Sequence, residues 1–104
     1  MEIQIKSKHI PMILSLDEGV IPSGVEIRKV PLRMQRDGIS EAWAIAIVML
    51  AASVPLNVFV NWLSNKLTDK RSTTITINRK EFHFDEGELI RMIEENRKIE
   101  QDKI

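Results

Sequence analysis

The longest apolar stretch of the chain is residues 42–63, which read AWAIAIVMLAASVPLNVFVNWL without a single charge. Ser40 and Glu41 stand directly before it, and a serine followed by a carboxylate is typical of a helix N-terminus. The pattern therefore predicts a helix that begins near Glu41. Because Pro55 disfavours helix at the residue before it, we expect either one helix broken at Pro55 or two core helices.

A stretch of this length could also cross a bilayer, which requires about 20 apolar residues. Its polar residues, however, recur every four positions and so share one stripe of a helix, which is typical of a water-facing side. They are Ser53, Asn57 and Asn61, and Asn65 just after the stretch continues the series. The flanking strands are also too small to fold separately on two sides of a membrane. We therefore expect a buried core helix or helix pair, and keep membrane insertion of residues 42–63 as the alternative.

Short alternating segments on both sides of this stretch predict strands. They are IQIK (residues 3–6), VEIRKVPLRM (25–34), TTITI (73–77) and EFHF (81–84). Pro31 favours an edge position for the second, whose one-residue slip also suggests a bulge. The residues Asn78-Arg79-Lys80 predict a turn that joins the last two strands as a hairpin.

Two more helices are predicted from capping signals. Pro11 suits the first turn of a short helix that runs through Leu16. Asp85 followed by Glu88 resembles a capping box, and apolar residues at helical spacing predict a helix from there to about Glu100. Residues 94–104 are mostly charged, so we expect this end to fray into water.

Together these elements predict a single α+β domain over residues 1–104. About four mostly antiparallel strands are expected to pack against the apolar helix and the C-terminal helix. A chain of 104 residues without cysteine has no disulfide to stabilise smaller units, which favours one domain. We see no signal peptide or lipidation motif, so we expect a cytoplasmic protein, with a membrane location as the alternative.

The residues that could carry chemistry are few. His9 and His83 are the two imidazoles, whereas a metal site needs about three protein ligands. The carboxylates of residues 85–88 fit a helix N-terminus, where the dipole favours them. The four glycines do not form a phosphate-binding loop. We therefore predict a protein that is not an enzyme and has no cofactor and no metal site.

A basic cluster follows the apolar stretch. It consists of Lys66, Lys70, Arg71, Arg79 and Lys80. These residues could bind phosphate groups, RNA or lipid heads, and a nucleic-acid-binding domain that uses residues 66–80 is a third hypothesis. Against it, 15 basic residues balance 15 acidic ones, whereas nucleic-acid-coating proteins usually carry a basic excess. A solvated surface is the simpler interpretation of this cluster.

The second half of the chain, residues 40–100, resembles a known family in layout. An apolar segment ends in Trp62-Leu63, the basic pair Lys70-Arg71 follows, and then come TTITI, a second strand and the helix ELIRMIEE. This order resembles that of the effector-associated constant components, which are small domains found in bacterial conflict systems beside proteases, TIR domains and similar effectors. The resemblance implies a non-catalytic adaptor that couples to an effector or sensor.

We therefore predict a non-enzymatic protein-protein interaction or adaptor module that buries apolar surface against a protein partner or a second copy of itself. The predicted interface residues are Trp43, Met49, Asn57, Asn61 and Trp62. Tryptophan side chains supply large contact areas, and the amides supply directional hydrogen bonds.

Overall fold

A computed structural model describes residues 1–30 and 43–102, and in these ranges five strands form one antiparallel sheet. The elements are β1 (Glu2–Ser7), α1 (Ile10–Leu14), β2 (Val25–Val30), β3 (Ala44–Leu50), α2 (Leu56–Lys66), β4 (Thr73–Ile77), β5 (Lys80–His83) and α3 (Glu86–Asp102). The strand order is β2-β3-β1-β4-β5, and every neighbouring pair is antiparallel. This confirms the α+β class, with five strands where about four were expected.

The prediction of a helix that begins near Glu41 is wrong, because the first half of the apolar stretch is strand β3. β3 lies between β2 and β1, and its side chains alternate between the two faces of the sheet. Both faces of β3 are apolar, so the sequence lacks the polar-apolar alternation that usually marks a strand. The predicted N-cap, Ser40, lies outside the described residues.

The second half of the stretch is helix α2, which begins directly after Pro55, as expected from the break predicted at that proline. The helix buries Phe59, Val60 and Leu63 against the sheet. The polar residues predicted to face water, Ser53, Asn57, Asn61 and Asn65, are all exposed, which confirms that stripe. The apolar stretch is thus a strand, a short connection and one helix, rather than one broken helix or a pair.

Helix α3 begins at the predicted cap, since the Asp85 carboxylate accepts the Glu88 N–H at 2.9 Å. The Glu88 side chain binds Arg91 at 2.7 Å, and this hydrogen bond raises the pKa of the Arg91 guanidinium. The segment 94–104, which was expected to fray, is helical through Asp102. Arg97 holds it by donating to the Val54 carbonyl at 2.8 Å.

The remaining local predictions concern α1 and β2. Pro11 lies in the first turn of α1, as expected, although this helix ends at Leu14. β2 is an edge strand, as Pro31 indicated, and the bulge predicted next to it falls largely on residues outside the described ranges. Lys29 of β2 binds the Leu14 carbonyl at 2.8 Å and so ties this edge to the end of α1.

Helices α1, α2 and α3 pack on the same face of the sheet. Their apolar side chains and the inward side chains of the strands form one buried cluster, which includes Ile5, Ile13, Phe59, Ile75 and Ile93. Lys66 at the end of α2 hydrogen-bonds the Glu18 carbonyl next to α1, and Ser64 of α2 hydrogen-bonds Glu86 of α3. α2 therefore lies between the other two helices.

The hairpin turn between β4 and β5 offers a test of this fold. Asn78 and Arg79 both have positive φ angles, +50° and +66°, as in the turn type that favours glycine at its second position. An arginine in this region is strained by about 1 kcal/mol relative to glycine. We expect Arg79→Gly to raise the melting temperature by about 5 °C in a thermal scan.

Lys80→Gly is the matched control for that variant. Lys80 begins β5, where glycine weakens a strand. The two substitutions should therefore shift the melting temperature in opposite directions. A decrease with both would contradict the turn geometry described above.

Candidate interaction surface

The sheet face opposite the helices, called the outer face here, carries an apolar row along β3. The row consists of Trp43, Ile45, Ile47 and Met49, and we call it the apolar spine. Alternation along β3 turns these side chains away from the buried Ala46 and Val48. The spine is half-buried, with Met49 the most open at 38% exposure. The buried side chains of the three helices belong to the opposite face, and the end of α3 shares an open depression with Glu2, Gln4 and Thr76 at one end of the outer face.

The strand register defines what flanks the spine. At its centre, Ile47 lies between Arg28 of β2 and Gln4 of β1. Across the sheet from Gln4, the next outer-face residues in the same register are Thr76 of β4 and Glu81 of β5. Polar side chains therefore border most of the apolar spine, as in an apolar patch with a polar rim. Val30 of β2, opposite Ile45, is the apolar exception among these neighbours.

The two ends of the spine carry opposite charges. Glu2 and Glu26 lie directly opposite Met49 on the neighbouring strands and make one end acidic. The ammonium groups of Lys6 and Lys8 lie 4.9 and 5.1 Å from the centre of the Trp43 ring. These distances are within the range of cation–π attraction, so Trp43 lies in a basic end. A partner with an apolar strip and opposite charges at its ends would complement this face.

The five predicted interface residues do not lie on one surface. Trp43 and Met49 belong to the outer face, whereas Asn57 and Asn61 are exposed on α2, on the other side of the sheet. Trp62 of α2 is half-buried, and its ring centre lies 6.0 Å from that of Phe59. The indole N–H of Trp62 is buried without a hydrogen-bond partner among the described residues.

Sequence reasoning missed Ile45 and Ile47, because it placed them in a helix buried on all sides. The signal that could have identified them is the alternation of alanine with β-branched isoleucine in AIAIV, since β-branched residues favour strands. The small alanines face the core, and the larger isoleucines face outward.

The predicted basic cluster is divided between two ends of β4. Lys66, Lys70 and Arg71 lie before the strand, and Arg79 and Lys80 follow it. A five-residue strand separates its ends by about 17 Å. Lys66 and Lys70 are also engaged within the chain, with Lys70 3.0 Å from the Ser64 hydroxyl and over the Phe84 ring. These residues therefore do not form one continuous patch.

The histidines and the surface depressions are the other features that could form a site of chemistry. His83 lies on the outer face opposite Thr74, far along the sheet from the spine. In the described ranges, no group of three histidine, cysteine, aspartate or glutamate side chains is arranged to hold a metal ion. Two depressions in the described ranges are open and hold about 420 and 600 Å³. The larger one adjoins the spine at Met49 and the start of β2.

Fold and surface together define an α+β protein with an open antiparallel sheet, covered by helices on one face and carrying an apolar spine on the other. Comparison with protein-family models, with curated proteins and with solved structures gave no match. The resemblance to the effector-associated constant components therefore stays a prediction. None of the helices in residues 1–30 and 43–102 has both the length and the apolar content that a membrane span requires.

Proposed function

We propose that this chain is a non-enzymatic protein-protein interaction module that binds a protein partner through its outer face. The observation that carries the proposal is the apolar spine, which no helix of the described ranges covers although helices cover the opposite face. Contiguous exposed apolar side chains with a polar border mark interaction sites in soluble proteins. An adaptor between an effector and a sensor is one form that such a module takes.

The contacts of Trp43 support the choice of a protein as partner. Its ring offers the amphipathic area that is enriched at protein interfaces, and Lys6 beside it supplies charge at the rim. Met49 at the other end adds an adaptable apolar contact between two glutamates. Mixed charge around an apolar centre suits a protein surface better than a nucleic acid, which would repel the acidic end.

The test is affinity purification from cells that naturally contain the chain, with the substitution Ile47→Glu. The new carboxylate lies opposite Arg28, which gives it a cross-strand partner and helps to retain the fold. The unchanged chain should retain a specific protein. The variant should recover at least tenfold less of that protein, since a charge at the centre of an apolar contact must be desolvated. Circular dichroism checks that the variant folds.

Asn61→Glu is the matched variant on the opposite side of the molecule, because it introduces the same group at an exposed position of α2. Retention of the partner by this variant is the expected result. If Asn61→Glu lost the partner protein and Ile47→Glu retained it, the interface would instead be assigned to α2. Loss of retention after nuclease treatment would show that nucleic acid is the bound species and would overturn the proposal.

A further inference from the structure

In residues 1–30 and 43–102, no strand pairs with the side of β2 that faces away from β3. Among the described residues, β3 is the one strand paired with β2. The Ala51 N–H donates to the Gly24 carbonyl at 2.9 Å at the start of this pair, and hydrogen-bonded positions alternate along an antiparallel ladder. The backbone N–H and C=O groups of Ile27 and Lys29 therefore point out of the sheet.

The two edges of the sheet differ in how well they could accept another strand. β5 at the opposite edge has four residues, and short edge strands offer few backbone bonds to a partner. β2 has six residues, and neither proline nor glycine occurs within it. The ammonium group of Lys29 is held by its own chain, 2.8 Å from the Leu14 carbonyl and 3.0 Å from the Asp17 carboxylate. Its backbone is left available to a partner.

The side chains of β2 are complementary to themselves when two copies run antiparallel about Ile27. In that register Ile27 lies opposite Ile27 of the second copy on the inner face. On the outer face, Glu26 lies opposite Arg28 of the second copy, and Arg28 lies opposite its Glu26. Both charged residues are exposed in the single chain, and unlike charges directly opposite each other stabilise a strand pair.

Other symmetric registers lack this match. A register centred on Glu26 or on Arg28 places two like charges directly opposite each other, which is destabilising. One centred on Val25 loses backbone bonds, because the Val25 N–H already donates to the Pro22 carbonyl at 3.1 Å. One centred on Lys29 brings two lysines together. The register about Ile27 is therefore the one that joins unlike charges and uses the free backbone groups.

We infer that a second copy of this chain pairs with β2 along this edge, with the two-fold axis at Ile27, so that one sheet continues through both copies. Two reciprocal N–H···O=C bonds join the Ile27 residues, and each Lys29 N–H donates to the Val25 carbonyl of the other copy. Glu26 and Arg28 also border the apolar spine. The pairing itself uses the backbone edge of β2 and none of the spine side chains, so it does not require the proposed outer-face partner.

The test is the mass of the purified full chain, measured by sedimentation and light scattering over a concentration series. The unchanged chain is expected to move from 12.0 kDa to twice that mass as concentration rises. Glu26→Arg and Arg28→Glu each create two like-charge pairs and should raise the dissociation constant about tenfold or more. The double variant exchanges the charges and should restore it to within about threefold.

Glu81→Arg provides the matched control, since it reverses an exposed charge on the outer face at the opposite edge. It should leave the dissociation constant unchanged. A monomer at every concentration up to about 1 mM would overturn the inference. A dimer that both single charge reversals leave intact would also overturn the inference. Failure of the double variant to restore the dissociation constant would overturn it as well. A dimer lost with Ile47→Glu but kept by the single reversals would place self-association on the outer face instead.

Amide hydrogen exchange gives a second measurement that needs no substitution. The Ile27 and Lys29 amides should exchange quickly in the dilute chain and become protected as concentration rises. The Val25 amide, which is already bonded, should show little change. Protection of Ile27 and Lys29 that does not depend on concentration would contradict the pairing, even if a charge variant proved too unstable to study.

Discussion

Replacing Phe59 with alanine should lower the free energy of unfolding by about 3–5 kcal/mol, the range found for large aromatic residues in cores. Phe59 is fully buried in the face of α2 that packs on the sheet. The substitution removes its contacts and leaves a cavity that the neighbouring β-sheet side chains fill only in part. Since domains of this size are stable by about 5–15 kcal/mol, this single change should remove a large share of the total.

Val58→Ala is the matched variant for this prediction. Val58 precedes Phe59 on the same helix but is 43% exposed, and surface changes usually alter stability by no more than about 0.5 kcal/mol. Urea unfolding followed by circular dichroism measures both variants, with a similar slope expected for each. Equal losses for the two variants would mean that α2 does not pack on the sheet through the Phe59 face.

Replacing Gly24 with alanine should lower the free energy of unfolding by about 2–4 kcal/mol, for two reasons that add. The φ angle of Gly24 is +89°, a conformation that residues with a Cβ rarely adopt. A Cβ added there would lie 2.7 Å from Cγ2 of Val54 and 3.3 Å from Cβ of Ala51. The overlap is severe because the backbone at Gly24, where the chain enters β2, lies directly against the connection between β3 and α2.

Gly19→Ala separates the two contributions. Gly19 has a similar φ angle of +79°, but a Cβ there would meet only the Lys66 Nζ, at an ordinary contact distance of 3.6 Å. This variant should lose about 1–2 kcal/mol from backbone strain alone. Thermal unfolding of the two variants measures the difference between their losses of stability. This difference is the contribution of the steric overlap at Gly24. Identical losses would show that strain alone accounts for both.

The predictions from sequence that succeeded rest on local signals. The alternation of Ile3 and Ile5 indicated β1, the segments around Asn78 indicated a hairpin, and Asp85 marked the start of α3. Each signal lies within a few residues of the structure that it predicts, so no knowledge of distant contacts is needed. The polar stripe on α2 was predictable for the same reason.

The error at β3 has a physical origin in the site itself. A strand is recognised when one face is apolar and the other polar, but β3 is apolar on both faces. Its inner face packs on the helices, and its outer face forms the spine that we propose as the interaction surface. The feature that hid the strand from sequence analysis is thus the one that supports the proposed function.

The predicted site residues do not share one surface, because the prediction assigned all of them to one apolar helix or helix pair. With residues 44–50 in a strand, Trp43 and Met49 share a face of the sheet, while Asn57, Asn61 and Trp62 belong to a helix on the other side. Strand order and register are set by contacts between distant segments. They therefore could not be read from the spacing of residues along the chain.

The position of β1 at the centre of the sheet has a consequence for how the chain folds. Ser7 of β1 pairs with Ala44 on one side and with Thr73 on the other, so both partners come from far along the chain. Closing long loops before any contact is gained slows folding, whereas the β4–β5 hairpin and the helices form from near neighbours. We therefore expect the insertion of the first strand between two distant ones to be the slow step in the folding of this chain.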